Sequence, residues 1–205
     1  ITKKERLVVQ TPESMKRRFN IDVRTNSEVI SINPAEKTVV VHDHRKNTRY
    51  TESYDKLILS PGARPVLPDI EGINSERVFT LRDIPDTYRL RNFVEKYDVK
   101  RAVLIGAGFI GLEVAENLHS LGVEVAVVEL ANQVLGPLDF EMAALVHQHL
   151  KSKGVELYLG RSVKAIEDSQ EHATVVLNDG QALRADMVVF GTGVRPEAGL
   201  AARAG

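Results

Sequence analysis

Apolar positions along this chain change their period partway through. Between residues 22 and 52, Val, Ile and Thr gather in short runs separated by polar turns: Asp22-Val-Arg24, Glu28-Val-Ile-Ser-Ile32 and Lys37-Thr-Val-Val-Val41, with a partner near Arg49–Glu52 beyond the turn of residues 42–48. Runs of this kind predict a small antiparallel sheet. Ahead of them, Thr11-Pro-Glu-Ser-Met-Lys-Arg-Arg-Phe19 predicts a short helix, with Thr11 as N-cap, Pro12 at the first helical position and basic residues at its end. Asp55-Lys-Leu-Ile-Leu-Ser60 is nearly continuous in apolar residues and reads as a buried strand ending at Pro61-Gly62. Proline and glycine then punctuate residues 63–72, the pattern of an extended crossing between domains.

After the crossing the period lengthens. Ile84, Tyr88, Leu90, Phe93, Val94 and Tyr97 form an apolar face that predicts a helix over residues 83–98. Strand and helix then alternate: strand 101–105, helix 109–121, strand 124–129, helix 138–153 and strand 155–159. Such alternation predicts parallel βαβ units. A hairpin interrupts it, with strands at Lys164–Glu167 and Ala173–Leu177 and a turn at Asn178-Asp-Gly180. A last apolar strand, Met187-Val-Val-Phe190, runs into Gly191-Thr-Gly193. The expected fold is α/β: a doubly wound, Rossmann-like domain over residues 80–205 with a β-hairpin insertion, preceded by a strand-rich region over residues 1–79.

Composition narrows the functional classes. The 205 residues are 43% hydrophobic, 27% charged and 5% aromatic, which excludes collagen-like, mucin-like and wholly disordered chains. Lys+Arg number 27 against 28 Asp+Glu, so the basic excess that phosphate neutralisation on nucleic acid requires is missing. Residues 1–60 are locally basic, with 12 Lys/Arg against 8 Asp/Glu. With no cysteine, disulfides, Cys-zinc sites, iron–sulfur clusters and thiol nucleophiles are excluded within this chain. No apolar run approaches 18 residues, and Ile1-Thr-Lys-Lys-Glu-Arg6 lacks the apolar stretch of a signal peptide. A soluble cytoplasmic protein, away from membranes, is expected. Opening at Ile1 and closing at Ala204-Gly205, the chain reads as a piece of a longer protein.

One stretch carries chemistry. Arg101-Ala-Val-Leu-Ile-Gly106-Ala-Gly108-Phe-Ile-Gly111-Leu-Glu113 places GxGxxG between a buried strand and a helix, the context in which the motif binds a dinucleotide. Gly106 suits the tight turn, Gly108 lets a pyrophosphate approach the backbone, and Gly111 lets the helix lie close to the sheet. Glu129 ends the next strand 18 residues after Gly111, where an acid accepts hydrogen bonds from the adenosine ribose. A carboxylate there repels a 2′-phosphate, and residues 130–135 hold no Arg or Lys to receive one, so NAD(H) is expected over NADP(H).

Three motifs give the chain its resemblance: Tyr54-Asp-Lys-Leu-Ile-Leu-Ser-Pro-Gly-Ala63, Gly106-Ala-Gly-Phe-Ile-Gly-Leu-Glu113 and Gly191-Thr-Gly-Val-Arg-Pro196. On these the chain resembles the pyridine nucleotide-disulfide oxidoreductase family of FAD- and NAD-dependent flavoproteins. Within that family it is most similar to coenzyme A-disulfide reductases, NADH-dependent persulfide reductases and NADH oxidases. Thr11-Pro-Glu-Ser14 and Thr80-Leu-Arg-Asp83 resemble the coenzyme A-linked branch. Family members begin with an FAD-binding GxGxxG and a redox cysteine, and they dimerise through a further domain. None of these is present, so residues 1–79 correspond to part of the FAD domain, and the fragment alone is expected to be inactive.

The resemblance implies roles residue by residue. The backbone at Glu28 and Val29 would run beside the FAD adenine, with Ser60, Pro61 and Gly62 close to the same dinucleotide. Phe109 would gate the flavin against nicotinamide, Glu113 would approach the nicotinamide amide, Gly193 and Val194 would flank the nicotinamide end, and Ile110 would be a further NAD-binding residue. Basic Lys16, Arg17 and Arg18 would approach the phosphates of a coenzyme A-linked substrate, or simply form a solvated helix face. The implied activity passes hydride from NADH to FAD and on to a small-molecule disulfide or persulfide, in a homodimeric parent. An NADH oxidase or peroxidase, and a non-catalytic NADH-sensing module, are the alternatives. No metal is expected: His42 and His44 share a strand face but lack an evident third ligand, and His147 and His149, two apart on a helix, do not face together.

Overall fold

The computed structural model describes residues 8–205. In chain order its elements are α1 (Pro12–Phe19), β1 (Ser27–Asn33), β2 (Thr38–Asp43), β3 (Thr48–Ser53), β4 (Ala63–Pro65), β5 (Val78–Thr80), α2 (Ile84–Tyr97), β6 (Arg101–Ile105) and α3 (Phe109–Ser120). There follow β7 (Glu124–Glu129), α4 (Phe140–Ser152), β8 (Glu156–Leu159), β9 (Val163–Asp168), β10 (Ala173–Leu177), β11 (Ala182–Ala185), β12 (Met187–Phe190), β13 (Val194–Pro196) and α5 (Gly199–Ala204). None of the described helices is long and apolar enough to cross a membrane.

The described backbone divides into two compact units, residues 8–63 with 196–205, and residues 64–195. This differs from the division expected at residue 79. β5 is the edge strand of the second unit's main sheet, and Ile70 and Ile73 pack on that sheet's core, so residues 64–79 go with it. At the other end, α5 packs on β1 and joins the first unit.

In the first unit, Thr11 accepts a hydrogen bond from the Ser14 amide at 3.2 Å and starts α1, and Asn20, left-handed at φ 55°, ends it. β1, β2 and β3 form an antiparallel meander with a bulge between Val29 and Ser31. Two expected strands are not formed. Asp22–Arg24 lies outside any ladder; the Arg24 guanidinium instead reaches Glu52 at 2.8 Å and Asp22 at 3.2 Å. Residues 55–60 are also irregular, and Ile58 is 87% exposed. A continuous apolar run suits a strand flanked on both sides, and no described strand pairs with this one. Of this unit's described residues only Val39 and Val41 are buried apolar side chains, worth about 1.5–3 kcal/mol each.

The second unit has a well-defined core. Its five parallel strands run in the order β5-β12-β6-β7-β8. Because side chains alternate along a strand, β6 sends Ala102 and Leu104 to one face and Val103 and Ile105 to the other. The first face packs on Val114, Ala115 and Leu118 of α3 and on residues of α2 and α4. The second is covered by a β layer in place of helices, through Ile166, Val175, Leu177 and Leu183. This layer is the expected strand pair enlarged by a third strand, in the order β11-β10-β9, and Gly180 at φ 86° lies in the turn that joins β10 to β11.

Candidate functional site

The glycine loop between β6 and α3 is built around backbone contact. Gly106 is left-handed at φ 100°, and a Cβ on it would lie 2.6 Å from the Gly191 carbonyl oxygen. A Cβ on Gly111 would lie 2.1 Å from the Gly106 carbonyl oxygen, so the first turn of α3 rests directly on the loop. Gly108 is different. Its backbone is ordinary and extended at φ −77°, ψ −175°, and a Cβ there would meet nothing within 4 Å. Neither conformation nor packing within the protein requires glycine at 108, which leaves an open cradle at the start of the helix. No side chain caps α3 at Gly108, so its leading amides are available to a ligand.

Glu129 stands at the end of β7, half-buried. Its Oε2 accepts from the Ala107 amide at 2.6 Å and its Oε1 from the Ala131 amide at 2.8 Å. The carboxylate therefore ties the glycine loop to the exit of β7, and each oxygen keeps lone-pair capacity for a hydroxyl. The segment that follows is stitched to the same loop, because the Leu135 amide donates to the Ala107 carbonyl at 2.9 Å. It is also held from α4: the Val134 amide donates to His147 Nε2 at 3.1 Å.

Accepting that bond requires a neutral imidazole, and burial, then the Lys151 ammonium, push His147 below the usual histidine range. The unfolded chain then binds the proton more readily than the folded one. Stability should be complete above about pH 6.5 and fall as the pH drops below it. Thermal melts from pH 7.5 to 5.5 should show a flatter pH dependence for His147→Gln than for the natural chain; equal slopes would remove His147 from this role.

A third piece completes the carboxyl-end edge of the sheet. The Gly191 amide donates to the Ile105 carbonyl at 2.7 Å. Thr192 Oγ1 donates to the Val66 carbonyl at 2.6 Å, and the Val66 amide donates to the Gly193 carbonyl at 3.0 Å. Gly106, Gly108, Gly111, Glu129 and Gly193 thus lie at the strand ends where open α/β sheets bind ligands. Phe109 is 65% exposed; Ile110, Glu113 and Val194 are exposed as well.

The other expected residues lie in the first unit. Val29, Ser60, Pro61 and Gly62 line one cavity of about 630 Å³, together with Leu57 and Leu200. Glu28 does not line it; its Oε2 sits 3.0 Å from His44 Nε2. Lys16, Arg17 and Arg18 are exposed at the end of α1, with Arg18 5.1 Å over the Phe19 ring. Sequence reasoning missed Thr192, Val66 and His147 as supports, since their partners are backbone groups distant in the chain, and it missed Leu57 and Leu200 as cavity walls.

Residues 2–205 match the family model described as pyridine nucleotide-disulphide oxidoreductase. An NADH oxidase of Methanocaldococcus jannaschii is 37% identical over 200 residues, 97% of this chain and 44% of that protein. A coenzyme A disulfide reductase of Staphylococcus haemolyticus is 33% identical over 186 residues, 91% of this chain and 41% of that protein. The solved structure of reduced Bacillus anthracis CoADR-RHD superposes with TM-score 0.94 at 47% identity, covering 100% of this chain and 36% of that one. The chain thus spans less than half the length of these relatives. Sequence match, fold and the glycine loop agree: this chain belongs to the pyridine nucleotide-disulphide oxidoreductase family.

Proposed function

We propose that the chain is the NADH- and FAD-binding portion of a cytoplasmic, homodimeric flavoprotein that reduces a small-molecule disulfide or persulfide, such as coenzyme A disulfide. The observation that carries this reading is Gly108, a glycine with open space where its side chain would be, at the uncapped start of α3. A diphosphate fits that cradle, accepting from the leading amides of α3 and stabilised by the helix dipole. The family binds FAD and NAD(H), which supports the same assignment. NADH would supply hydride and FAD would relay the electrons to the sulfur acceptor.

The chain's own residues do the placing. Glu129 accepts from the ribose hydroxyls with the lone pairs its two amide contacts leave, and its charge disfavours a 2′-phosphate. Phe109 offers a flat apolar cover that excludes water where hydride passes. Glu113, Gly193 and Val194 flank the nicotinamide end, and Ile110, in the first turn of α3, is a further contact to NADH. In the first unit, the backbone at Glu28 and Val29 with Ser60-Pro61-Gly62 forms the wall for the adenine side of FAD. The Methanocaldococcus relative favours a second reading, reduction of oxygen or peroxide. Assays of the full-length protein with coenzyme A disulfide and with oxygen separate the two.

Titration of the 205-residue chain with NADH tests the shared premise. At a hundred times the dissociation constant, binding should add about 2.7 kcal/mol of stability and raise the melting temperature by several degrees. Unchanged melting and unchanged nicotinamide fluorescence at millimolar NADH would overturn the reading. The basic end of α1 has its own test. In the full-length protein, Arg18→Glu should raise KM for a coenzyme A disulfide and spare KM for NADH, because Arg–phosphate hydrogen bonds are charge-assisted; an unchanged KM removes Arg17 and Arg18 from substrate binding.

A further inference from the structure

The β1–β2 ladder creates a juxtaposition that residue order conceals. Glu28 pairs directly with His42 across the two strands, and His44 follows on the His42 side of the chain. Glu28 Oε2 is 3.0 Å from His44 Nε2, and the two imidazole rings have centroids 4.4 Å apart. One ligand-capable atom from each of Glu28, His42 and His44 lies within 4.8 Å of the other two. Ligands on one tetrahedral zinc ion stand roughly 3.4 Å apart, given Zn–N of about 2.1 Å. Small side-chain rotations bridge that difference.

We propose that Glu28, His42 and His44 bind a divalent transition metal ion of the Zn²⁺ class on the face of the β1–β2 hairpin. Two imidazoles with one carboxylate select Zn²⁺, Ni²⁺ or Cu²⁺ over Mg²⁺ and Ca²⁺, which take oxygen ligands. The three side chains are exposed or half-buried, so an ion reaches them from solvent and water completes the coordination. Nearby Asp43 is engaged elsewhere, accepting from the Arg45 amide at 2.9 Å and the Lys46 amide at 3.2 Å. In the metal-free state, Asn47 Oδ1 holds His42 Nε2 at 3.1 Å and Glu28 holds His44, so binding exchanges two hydrogen bonds for three metal bonds. A bound ion would cross-link β1 to β2 in a unit whose described residues bury only two valines, where a metal staple has the most to add. The proposed dinucleotide contacts use the backbone of Glu28, so its carboxylate remains available to the ion.

The test is calorimetric titration of the tag-free, EDTA-treated 205-residue chain with ZnCl₂, and with CoCl₂ as a spectroscopic probe. One ion per chain is expected at micromolar concentration, with visible Co²⁺ bands and a raised melting temperature. His42→Ala, His44→Gln and Glu28→Gln should each weaken Zn²⁺ binding by at least about tenfold. His149→Ala, on α4, should leave binding unchanged. Circular dichroism confirms that the variants fold, and His44→Gln keeps a hydrogen-bonding side chain beside Glu28. Absence of stoichiometric binding at 100-fold excess Zn²⁺, or full binding by the His42→Ala/His44→Gln double variant, overturns the proposal. Neither result bears on NADH binding, which is read separately in the same samples.

Discussion

Gly108→Ala should leave the chain folded and sharply weaken its affinity for NADH. The new methyl group meets no protein atom within 4 Å, and the backbone at 108 is one that alanine adopts without strain. The structural cost is the poorer helix cap, about 1 kcal/mol or less. With NADH bound, the same methyl would occupy the space of the diphosphate and hold it off the α3 amides. A loss of at least 100-fold is expected, about 2.8 kcal/mol. Gly111→Ala is the contrasting variant. Its Cβ falls 2.1 Å from the Gly106 carbonyl oxygen, so α3 must lift from the loop, an overpacking cost of about 1–3 kcal/mol. It should lose stability first and binding as a consequence. Melting curves and NADH titrations on both variants decide the matter. Wild-type affinity in Gly108→Ala would place the diphosphate elsewhere; equal destabilisation by the two variants would make Gly108 a packing residue.

Loss of the Glu129 carboxylate should act on affinity and cofactor choice together. Hydrogen bonds from ribose hydroxyls to a charged acceptor are worth about 1.5–3 kcal/mol, or roughly 10–100-fold in affinity. The same substitution removes the repulsion of a 2′-phosphate, so NADH and NADPH should bind Glu129→Gln with similar affinity. Stability separates the variants further. Glu129→Gln keeps one acceptor for the Ala107 and Ala131 amides, whereas Glu129→Ala keeps none and should melt lower. An undiminished preference for NADH in Glu129→Gln would assign cofactor choice to other residues.

Much of the second unit was legible before any coordinates. The strand 101–105, the start of α3 at 109, the strand 124–129 and the strand 187–190 follow from short apolar runs bounded by glycine or by polar residues. The Asn178-Asp-Gly180 turn follows from local backbone preference, with Gly180 at φ 86°. Several of the unread elements have weak local signals. Val78–Thr80 is three residues long, and Ala182-Leu-Arg-Ala185 has little of the β-branched character that marks a strand. The misread run at residues 55–60 carries a strong local signal for a buried strand, yet burial needs neighbours, and no described strand lies beside it.

The amino-acid sequence by itself determined the βαβ alternation, the glycine spacing, the acid at 129 and hence the expectation of a dinucleotide. Each of these is a local property: a period, a turn, or a count of residues along one strand–helix–strand unit. Only the tertiary structure decided that Glu129 binds the glycine loop, that His147 holds the segment after β7, that a β layer covers the second face of the sheet, and that Glu28 meets His42 and His44. These depend on pairings between residues far apart in the chain, chosen by the packing of whole faces and by backbone groups seeking partners, and no short stretch of residues encodes them.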